Sequence, residues 1–73
     1  MHVAINSEYI TLAQFLKMTD IISSGGMAKI FLAEIPVYLN GELENRRGKK
    51  LYPGDEIEVE NIGRFIITQS SQD

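Results

Sequence analysis

The sequence contains no cysteine and only one histidine, and this scarcity excludes several classes of protein. Without cysteine there is neither a disulfide framework nor a metal site built from thiolates, so packing alone must hold the fold together. The one histidine, His2, lies beside the N-terminus, where chain ends are commonly mobile. We therefore expect no metal site, no cofactor and no catalytic histidine.

Long apolar stretches are also missing from the sequence. No run approaches the roughly 20 apolar residues of a membrane-spanning helix, and residues 1–6 show no basic region followed by an apolar stretch. With 73 residues, 44% of them hydrophobic, the chain can bury one small core. The expectation is a single domain over residues 1–73, cytoplasmic and monomeric, that contacts no membrane.

Side chains arranged for catalysis are scarce as well. Glu56, Glu58 and Glu60 alternate along one stretch, which predicts a solvated strand face rather than buried carboxylates with shifted pKa values. Ser23 and Ser24 have no histidine or lysine base in the local sequence, and the glycines beside them lack the spacing of a phosphate-binding loop. The sequence therefore predicts neither an enzyme nor a small-molecule substrate.

What the sequence does have is a concentration of positive charge. Four of its seven basic residues lie in the run Arg46-Arg47-Gly48-Lys49-Lys50, while the rest of the chain has three basic residues and ten acidic ones. A polyanion such as nucleic acid can find such a local positive site even though the net charge is −3. Short basic runs are common on protein surfaces, so on charge alone a solvated loop tip is the favoured interpretation and nucleic-acid binding is the alternative to test.

Two short helices are predicted in the first half of the chain. After Thr11, apolar residues follow the i, i+3, i+4 spacing of a helix over about residues 11–22. Ser23-Ser24-Gly25-Gly26 then predicts a tight turn whose hydroxyls cap a second helix, and Pro36 ends that helix. The apolar stripe of the second helix is predicted at Met27, Ile30 and Phe31.

The second half of the chain predicts strands joined by tight turns. Asn40-Gly41 is typical of a type I′ hairpin, Tyr52-Pro53-Gly54-Asp55 predicts another turn, and residues 56–60 and 64–68 are predicted as strands. The fold class is therefore α+β, with two short helices in a helix-turn-helix-like pair packed on a small, mainly antiparallel sheet of about four to five strands. The predicted core comprises Leu12, Phe15, Leu16, Ile30, Phe31, Val37, Leu39, Ile57, Val59 and Phe65.

The order and spacing of these parts resemble a known family. The segments that carry the resemblance are Ile10-Thr11-Leu12, Gln14-Phe15-Leu16-Lys17, Ser24-Gly25-Gly26-Met27-Ala28-Lys29, Asn45-Arg46-Arg47-Gly48 and Leu51-Tyr52. On these residues the chain resembles the Alpha-L RNA-binding motif, the domain named after the fourth protein of the small ribosomal subunit. Within that family it is similar to the small stand-alone bacterial YaaA-type proteins. The resemblance covers about residues 9–68, and the ends outside this core, including Gln69 to Asp73, are expected to fray.

This resemblance implies a non-catalytic RNA-binding module whose partner is structured ribosomal RNA or the ribosome, in ribosome assembly or translation. The family's contact surface at the start of the second helix corresponds to Ser24, Gly25, Gly26 and Lys29, and the charged run, expected as a hairpin, adds Arg46, Arg47, Lys49 and Lys50. Many members carry arginines where this chain has Thr11, Gly25 and Gly26. The charged run and the backbone N–H groups of a glycine-rich helix start are expected to replace those contacts.

Three alternatives stay open from the sequence. Lys29 is explained equally well as an ordinary solvated lysine. Tyr38 and Tyr52 are able to stack on unpaired bases, although packing against the helices is the expected use of both rings. For the chain as a whole, the alternative is a protein-interaction adaptor with an acidic docking surface, in which the basic run is incidental.

Overall fold

The computed structural model describes residues 1–70, which form seven strands, two α-helices and one 3-10 turn. The strands are His2–Ile5 (β1), Ile10–Thr11 (β2), Val37–Leu39 (β3), Glu42–Leu43 (β4), Lys50–Leu51 (β5), Glu56–Val59 (β6) and Gly63–Gln69 (β7). The helices are Leu12–Met18 (α1) and Ala28–Glu34 (α2), and the 3-10 turn at Gly25–Met27 lies between them.

Five of the described strands form the main sheet, in the order β1-β7-β6-β3-β4. Strand β1 pairs with β7 in parallel, and the other neighbours pair antiparallel. Strands β2 and β5 form a separate, two-stranded antiparallel sheet. The predicted α+β class, with two short helices and a mainly antiparallel sheet of four to five strands, is confirmed.

The N-terminal segment belongs to the main sheet, contrary to the expectation that it frays. In β1, Val3 and Ile5 are buried and the residues between them are exposed, which is the alternation of a strand with one face on the core. The Ile66 N–H donates to the Met1 carbonyl at 2.8 Å, so the pairing with β7 begins at the first residue. His2 therefore lies on the exposed face of an ordered edge strand.

The other end of the chain is ordered at least as far as the described residues reach. Gln69 ends β7, and its side-chain Nε2 donates to the Ile5 carbonyl at 3.1 Å. The Ser70 N–H donates to the same carbonyl at 2.6 Å. The expected fraying is thus wrong for Gln69 and Ser70, and residues 71–73 lie outside the described residues.

Helix α1 is shorter than the predicted helix over residues 11–22. Its start is fixed by a capping box, in which the Gln14 N–H donates to Thr11 Oγ1 at 3.2 Å and the Thr11 N–H donates to Gln14 Oε1 at 2.7 Å. At the other end, the Thr19 hydroxyl donates to the Phe15 carbonyl at 2.9 Å. Asp20 then adopts a left-handed conformation with φ of 61°, which a right-handed helix cannot continue through.

The turn before helix α2 differs from the prediction. Gly25–Met27 form a 3-10 turn, and the α-helix begins only at Ala28. Ser24 makes no side-chain capping hydrogen bond, and the Ser23 hydroxyl donates to Met27 Sδ at 3.1 Å. The serine hydroxyls therefore do not cap the second helix as expected.

The buried side of α2 is also not the predicted one. Ala28 and Leu32, spaced i and i+4, are the buried residues of this helix. Met27 and Ile30 are 45% and 68% exposed, whereas Phe31 packs against the core while only partly buried. The predicted stripe is therefore wrong at Met27 and Ile30, because the 3-10 turn delays the helix and changes which side chains face inward.

Both helices and the inner face of the main sheet contribute to one core. Phe15 of α1 and Phe65 of β7 meet edge to face with ring centroids 5.2 Å apart, which couples the first helix to the sheet. Seven of the predicted core residues are buried, whereas Ile30 is exposed and Phe31 and Leu39 are partly buried. The buried residues that the prediction missed are Val3, Ile5, Ile10, Ile22, Ala28, Leu32, Leu51 and Ile67.

Both predicted tight turns are present. Asn40 and Gly41 have φ of 51° and 88°, the pair of positive values that a type I′ turn between β3 and β4 requires. Gly54, in the second turn, has φ of 98°. The Asn40 side chain joins the two turns, since its Nδ2 donates to Asp55 Oδ1 at 3.1 Å and its Oδ1 accepts from the Glu56 N–H at 2.9 Å.

Candidate nucleic-acid interface

The basic loop, residues 46–50, connects the two sheets. It follows β4, which pairs with β3 in the main sheet, and it ends at Lys50 in β5, which pairs with β2 in the small sheet. Because β4 and β5 pair with different partners, residues 46–50 do not form the expected hairpin. The loop instead lies beside the start of helix α1, which follows directly on β2.

Helix α1 holds the basic loop through backbone hydrogen bonds. The Leu12 N–H donates to the Lys49 carbonyl and the Ala13 N–H to the Arg47 carbonyl, each at 2.9 Å, while the Lys49 N–H donates to the Arg46 carbonyl at 3.1 Å. The first N–H groups of a helix have no partner inside the helix. These bonds satisfy the N–H groups at the start of the helix and hold the loop backbone in place, while most residues of the loop are exposed to solvent.

The side chain of Arg46 is oriented by Glu44. Arg46 Nε donates to Glu44 Oε2 at 2.9 Å, Nη2 donates to Oε1 at 3.1 Å, and the Arg46 backbone N–H also donates to Oε2 at 3.1 Å. The hydrogen bonds from the Arg46 side chain hold the pKa of the Glu44 carboxyl below its usual value, so Glu44 is ionised at neutral pH. This ion pair fixes Arg46 and offsets part of its charge.

Two tyrosines lie at the Lys50 end of the basic loop. Lys50 Nζ is 4.8 Å from the centroid of the Tyr9 ring, within the range of a cation–π contact. The rings of Tyr9 and Tyr52 have centroids 5.7 Å apart and are tilted by 47°. Tyr52 lies beside Tyr9 and is 42% exposed. The expectation that its ring packs against the helices is therefore wrong.

The fold brings Lys29 of α2 to the basic loop. The lysine concavity, about 360 Å³, is lined by Lys29, Asn45, Arg46, Arg47 and Gly48. The tyrosine concavity, about 450 Å³, is lined by Arg46, Gly48, Lys49, Lys50 and Tyr52. Because Arg46 and Gly48 line both, the two concavities are neighbours. Together they bring five cations into one basic surface, which comprises Lys29, Arg46, Arg47, Lys49 and Lys50.

Ser24, Gly25 and Gly26, the remaining predicted site residues, line neither of these concavities. All three are exposed. A Cβ at Gly25 would meet no atom within 4 Å, one at Gly26 would lie 4.0 Å from the Ser24 hydroxyl, and neither glycine has a positive φ. The described fold therefore does not require glycine at these two positions, and a contact between this turn and RNA stays a prediction.

The basic surface suits the binding of phosphate groups. Of its five cations, Arg46 is paired with Glu44. Charge-assisted hydrogen bonds to phosphate are among the strongest that proteins make. Within residues 1–70, no cluster of three His, Cys, Asp or Glu side chains is placed to hold a metal ion. None of the helices in that range has the length and hydrophobicity needed to cross a membrane.

Sequence reasoning missed two residues that shape this surface. Glu44 stands two positions before Arg46, and an acidic residue so close to the charged run was a signal that a local ion pair forms. Tyr9 gave no such signal, because it reaches Lys50 and Tyr52 only through the pairing of β2 with β5. That pairing joins two strands of two residues each, which are too short to show a pattern.

The chain is similar to known proteins over the range that contains the basic surface. A model of the S4 domain family matches residues 3–68, a range that contains every residue of the basic surface. The chain is also 57% identical over 65 residues to a probable ribosome maturation protein, RlbA, of Bacillus subtilis (strain 168). That similarity covers 89% of this chain and 92% of the Bacillus protein.

Proposed function

The chain belongs to the S4 domain family, and from this premise we propose that it is a non-catalytic RNA-binding module that acts in ribosome maturation. Its RNA partner in this proposal is structured ribosomal RNA, bound through the basic surface. The observation that carries the proposal is the fixed position of the basic loop, whose backbone is hydrogen-bonded to the start of α1 while Arg46 and Arg47 line a concavity with Lys29.

Phosphate contacts explain how a protein with a net charge of −3 binds a polyanion. Five cations lie together on the basic surface, so the local field is positive although the remainder of the chain is acidic. Because the loop backbone is already ordered by α1, little conformational entropy is lost on binding. Contacts of this kind recognise the shape and backbone of folded RNA and do not distinguish its base sequence.

Thr11 illustrates how this chain departs from the family pattern. In the family that the chain resembles, many members carry an arginine at the start of the first helix, whereas here the Thr11 hydroxyl accepts the Gln14 N–H and caps α1. The same end of α1 donates hydrogen bonds to Arg47 and Lys49. In our proposal, the cations missing from the helix start are therefore supplied by the basic loop that this helix start holds.

Other features of the proposal follow from its context. A module in ribosome maturation would work in the cytoplasm, and we propose that it acts as a monomer without a small-molecule substrate. The similarity to a probable ribosome maturation protein supports this context. Neither the matched family nor that relative supports the adaptor alternative considered from the sequence.

Crosslinking in living cells, followed by sequencing of the attached RNA, tests the proposal. The parent protein is expected to crosslink mainly to ribosomal RNA, and Arg47→Ala/Lys49→Ala is expected to lose most of those crosslinks. This double variant removes one cation from each concavity and leaves the Glu44–Arg46 pair in place. Arg64→Ala is the matched control, because Arg64 lies in β7 and pairs with Glu58 at 3.7 Å.

Two results of this experiment would contradict the proposal. Crosslinks mainly to messenger RNA would exclude a role on ribosomal RNA, and so would crosslinks spread evenly over all classes of RNA. Crosslinks to ribosomal RNA that persist in the folded double variant would show that another surface makes the contact.

A further inference from the structure

The tyrosine concavity combines cations with an exposed aromatic ring. Three of its five lining residues are basic, and Tyr52 is its aromatic lining residue. The concavity is an open depression of about 450 Å³. A nucleotide has matching chemistry, since its phosphate is anionic and its base presents a flat aromatic face.

The backbone on both sides of Tyr52 is fixed. Leu51, directly before it, is fully buried in β5. The Tyr52 N–H donates to Asp55 Oδ2 at 2.8 Å, and the Tyr52 carbonyl accepts the Asp55 N–H at 3.0 Å, which closes the turn through Pro53. The backbone at Tyr52 is therefore already ordered before a ligand stacks on the ring, which lowers the entropy cost of binding.

The neighbouring Tyr9 holds Tyr52 and Lys50 together. Its ring lies 5.7 Å from that of Tyr52, and it is half-buried with Lys50 Nζ 4.8 Å from its centroid. Tyr9 is therefore already occupied by Lys50, whereas Tyr52 is 42% exposed. Of the two rings, Tyr52 is the one available to a ligand.

We infer that Tyr52 stacks on an unpaired base of the bound RNA, while Lys49 and Lys50 contact the phosphates next to that base. The inference rests on the proposed function and deepens it, because it names the class of RNA: a folded RNA with an unpaired nucleotide, such as a bulge. Bases inside a duplex are already stacked and paired, so only an unpaired base reaches a ring in a concavity. Stacking on an aromatic side chain accepts any base.

Two RNA hairpins that differ by one bulged nucleotide test this inference. The bulged position carries 2-aminopurine, a fluorescent base whose emission falls when it stacks. The parent protein is expected to bind the bulged hairpin more tightly than the paired one and to quench its fluorescence. Tyr52→Leu is expected to weaken binding of the bulged hairpin about 5- to 150-fold, the range measured for loss of one stacked base, and to change binding of the paired hairpin by less than about twofold.

Two further variants separate stacking from a structural role. Tyr52→Phe keeps the ring and is expected to retain both the preference and the quenching. Tyr38→Leu is the matched control, because Tyr38 pairs in register with Glu58 on the exposed face of the main sheet, away from the core side where it was expected. It is expected to behave as the parent does, with circular dichroism confirming that each variant is folded.

The outcomes distinguish this inference from the function on which it rests. A parent that binds both hairpins equally without quenching 2-aminopurine would overturn the inference and leave RNA binding intact, and this comparison requires no variant. An equal loss on both hairpins in Tyr52→Leu would also overturn it. Displacement of the bulged hairpin by micromolar adenosine monophosphate would assign the concavity to a free nucleotide instead. A parent that binds neither hairpin would refute the proposed function itself.

Discussion

The basic loop and strand β6 carry opposite charges that arise in different ways. In the basic loop, four cations lie within five consecutive residues and their backbone is held by α1. Along β6 and the residue after it, Glu56, Glu58 and Glu60 alternate with buried Ile57 and Val59, so strand geometry places the acids on the solvent side. One region is charged through local clustering and the other through periodicity.

This difference has a consequence for binding. A polyanion is attracted to the basic surface and repelled by the outward face of β6. The acidic strand also keeps the net charge negative, which limits binding elsewhere on the molecule. The comparison predicts that substitutions separate into those that damage both regions and those that damage only one.

The largest effect is expected for Phe15→Ala, which should damage both regions together. Phe15 is fully buried and joins α1, which holds the basic loop, to Phe65 in the main sheet. Its truncation should destabilise the fold by about 3–5 kcal/mol, a large share of the roughly 5–15 kcal/mol of a typical domain. Thermal melting measures this loss. Ile30→Ala, at a 68% exposed position of α2, is the control and should change stability by less than about 0.5 kcal/mol.

A smaller effect is expected from replacing glycine with alanine, and two single variants allow the comparison. Gly41, in the β3–β4 turn, has φ of 88°, so Gly41→Ala should cost about 1–2 kcal/mol. Gly48, in the basic loop, has no positive φ and no atom within 4 Å of an added Cβ. Gly48→Ala should therefore be neutral or stabilise by up to about 1 kcal/mol. Equal chemical-denaturation midpoints for the two variants would contradict the assigned turn.

The smallest effect concerns the ion pair in the basic surface. The pKa of Glu44 is lowered below its ordinary value of 4.5, so the contact with Arg46 contributes fully above that pH and is lost as pH falls through the lower, folded-state value. The nuclear magnetic resonance signal of Arg46 Hε should follow this loss, whereas that of Arg47 should not. A transition of the Arg46 signal at or above pH 4.5 would show that the pair does not form in solution.

Local sequence signals predicted much of the fold, and nonlocal pairing explains what they missed. The turn at Asn40-Gly41 and the start of α1 after Thr11 were predictable because their causes lie within a few residues. Strand β1 was not predictable, because its four residues form a strand only by pairing with β7, more than sixty residues away in the sequence. The predicted inner face of α2 was wrong at Met27 and Ile30, because the 3-10 turn that precedes the helix has no clear sequence signal.

Part of the candidate site was also predictable from the sequence, and part depended on the fold. The charge of Arg46, Arg47, Lys49 and Lys50 is visible in the sequence, and Lys29 was predicted for the site from the resemblance. The structure brings Lys29 to the same surface. The order of that surface is not visible, because it depends on hydrogen bonds from α1 and on the pairing of β2 with β5. Composition thus identifies a positive segment, while the fold decides whether that segment is fixed.

The salt dependence of RNA binding tests the central claim most directly. If about four phosphates are contacted, raising salt from about 50 to 200 mM should weaken binding of the parent to folded RNA roughly 50- to 150-fold. Arg47→Ala/Lys49→Ala, which loses two of these contacts, should weaken only about 7- to 12-fold over the same range. Arg64→Ala should behave as the parent does. Fluorescence anisotropy would supply these values, and a folded double variant with the parent's affinity and salt dependence would contradict the assignment of the basic surface.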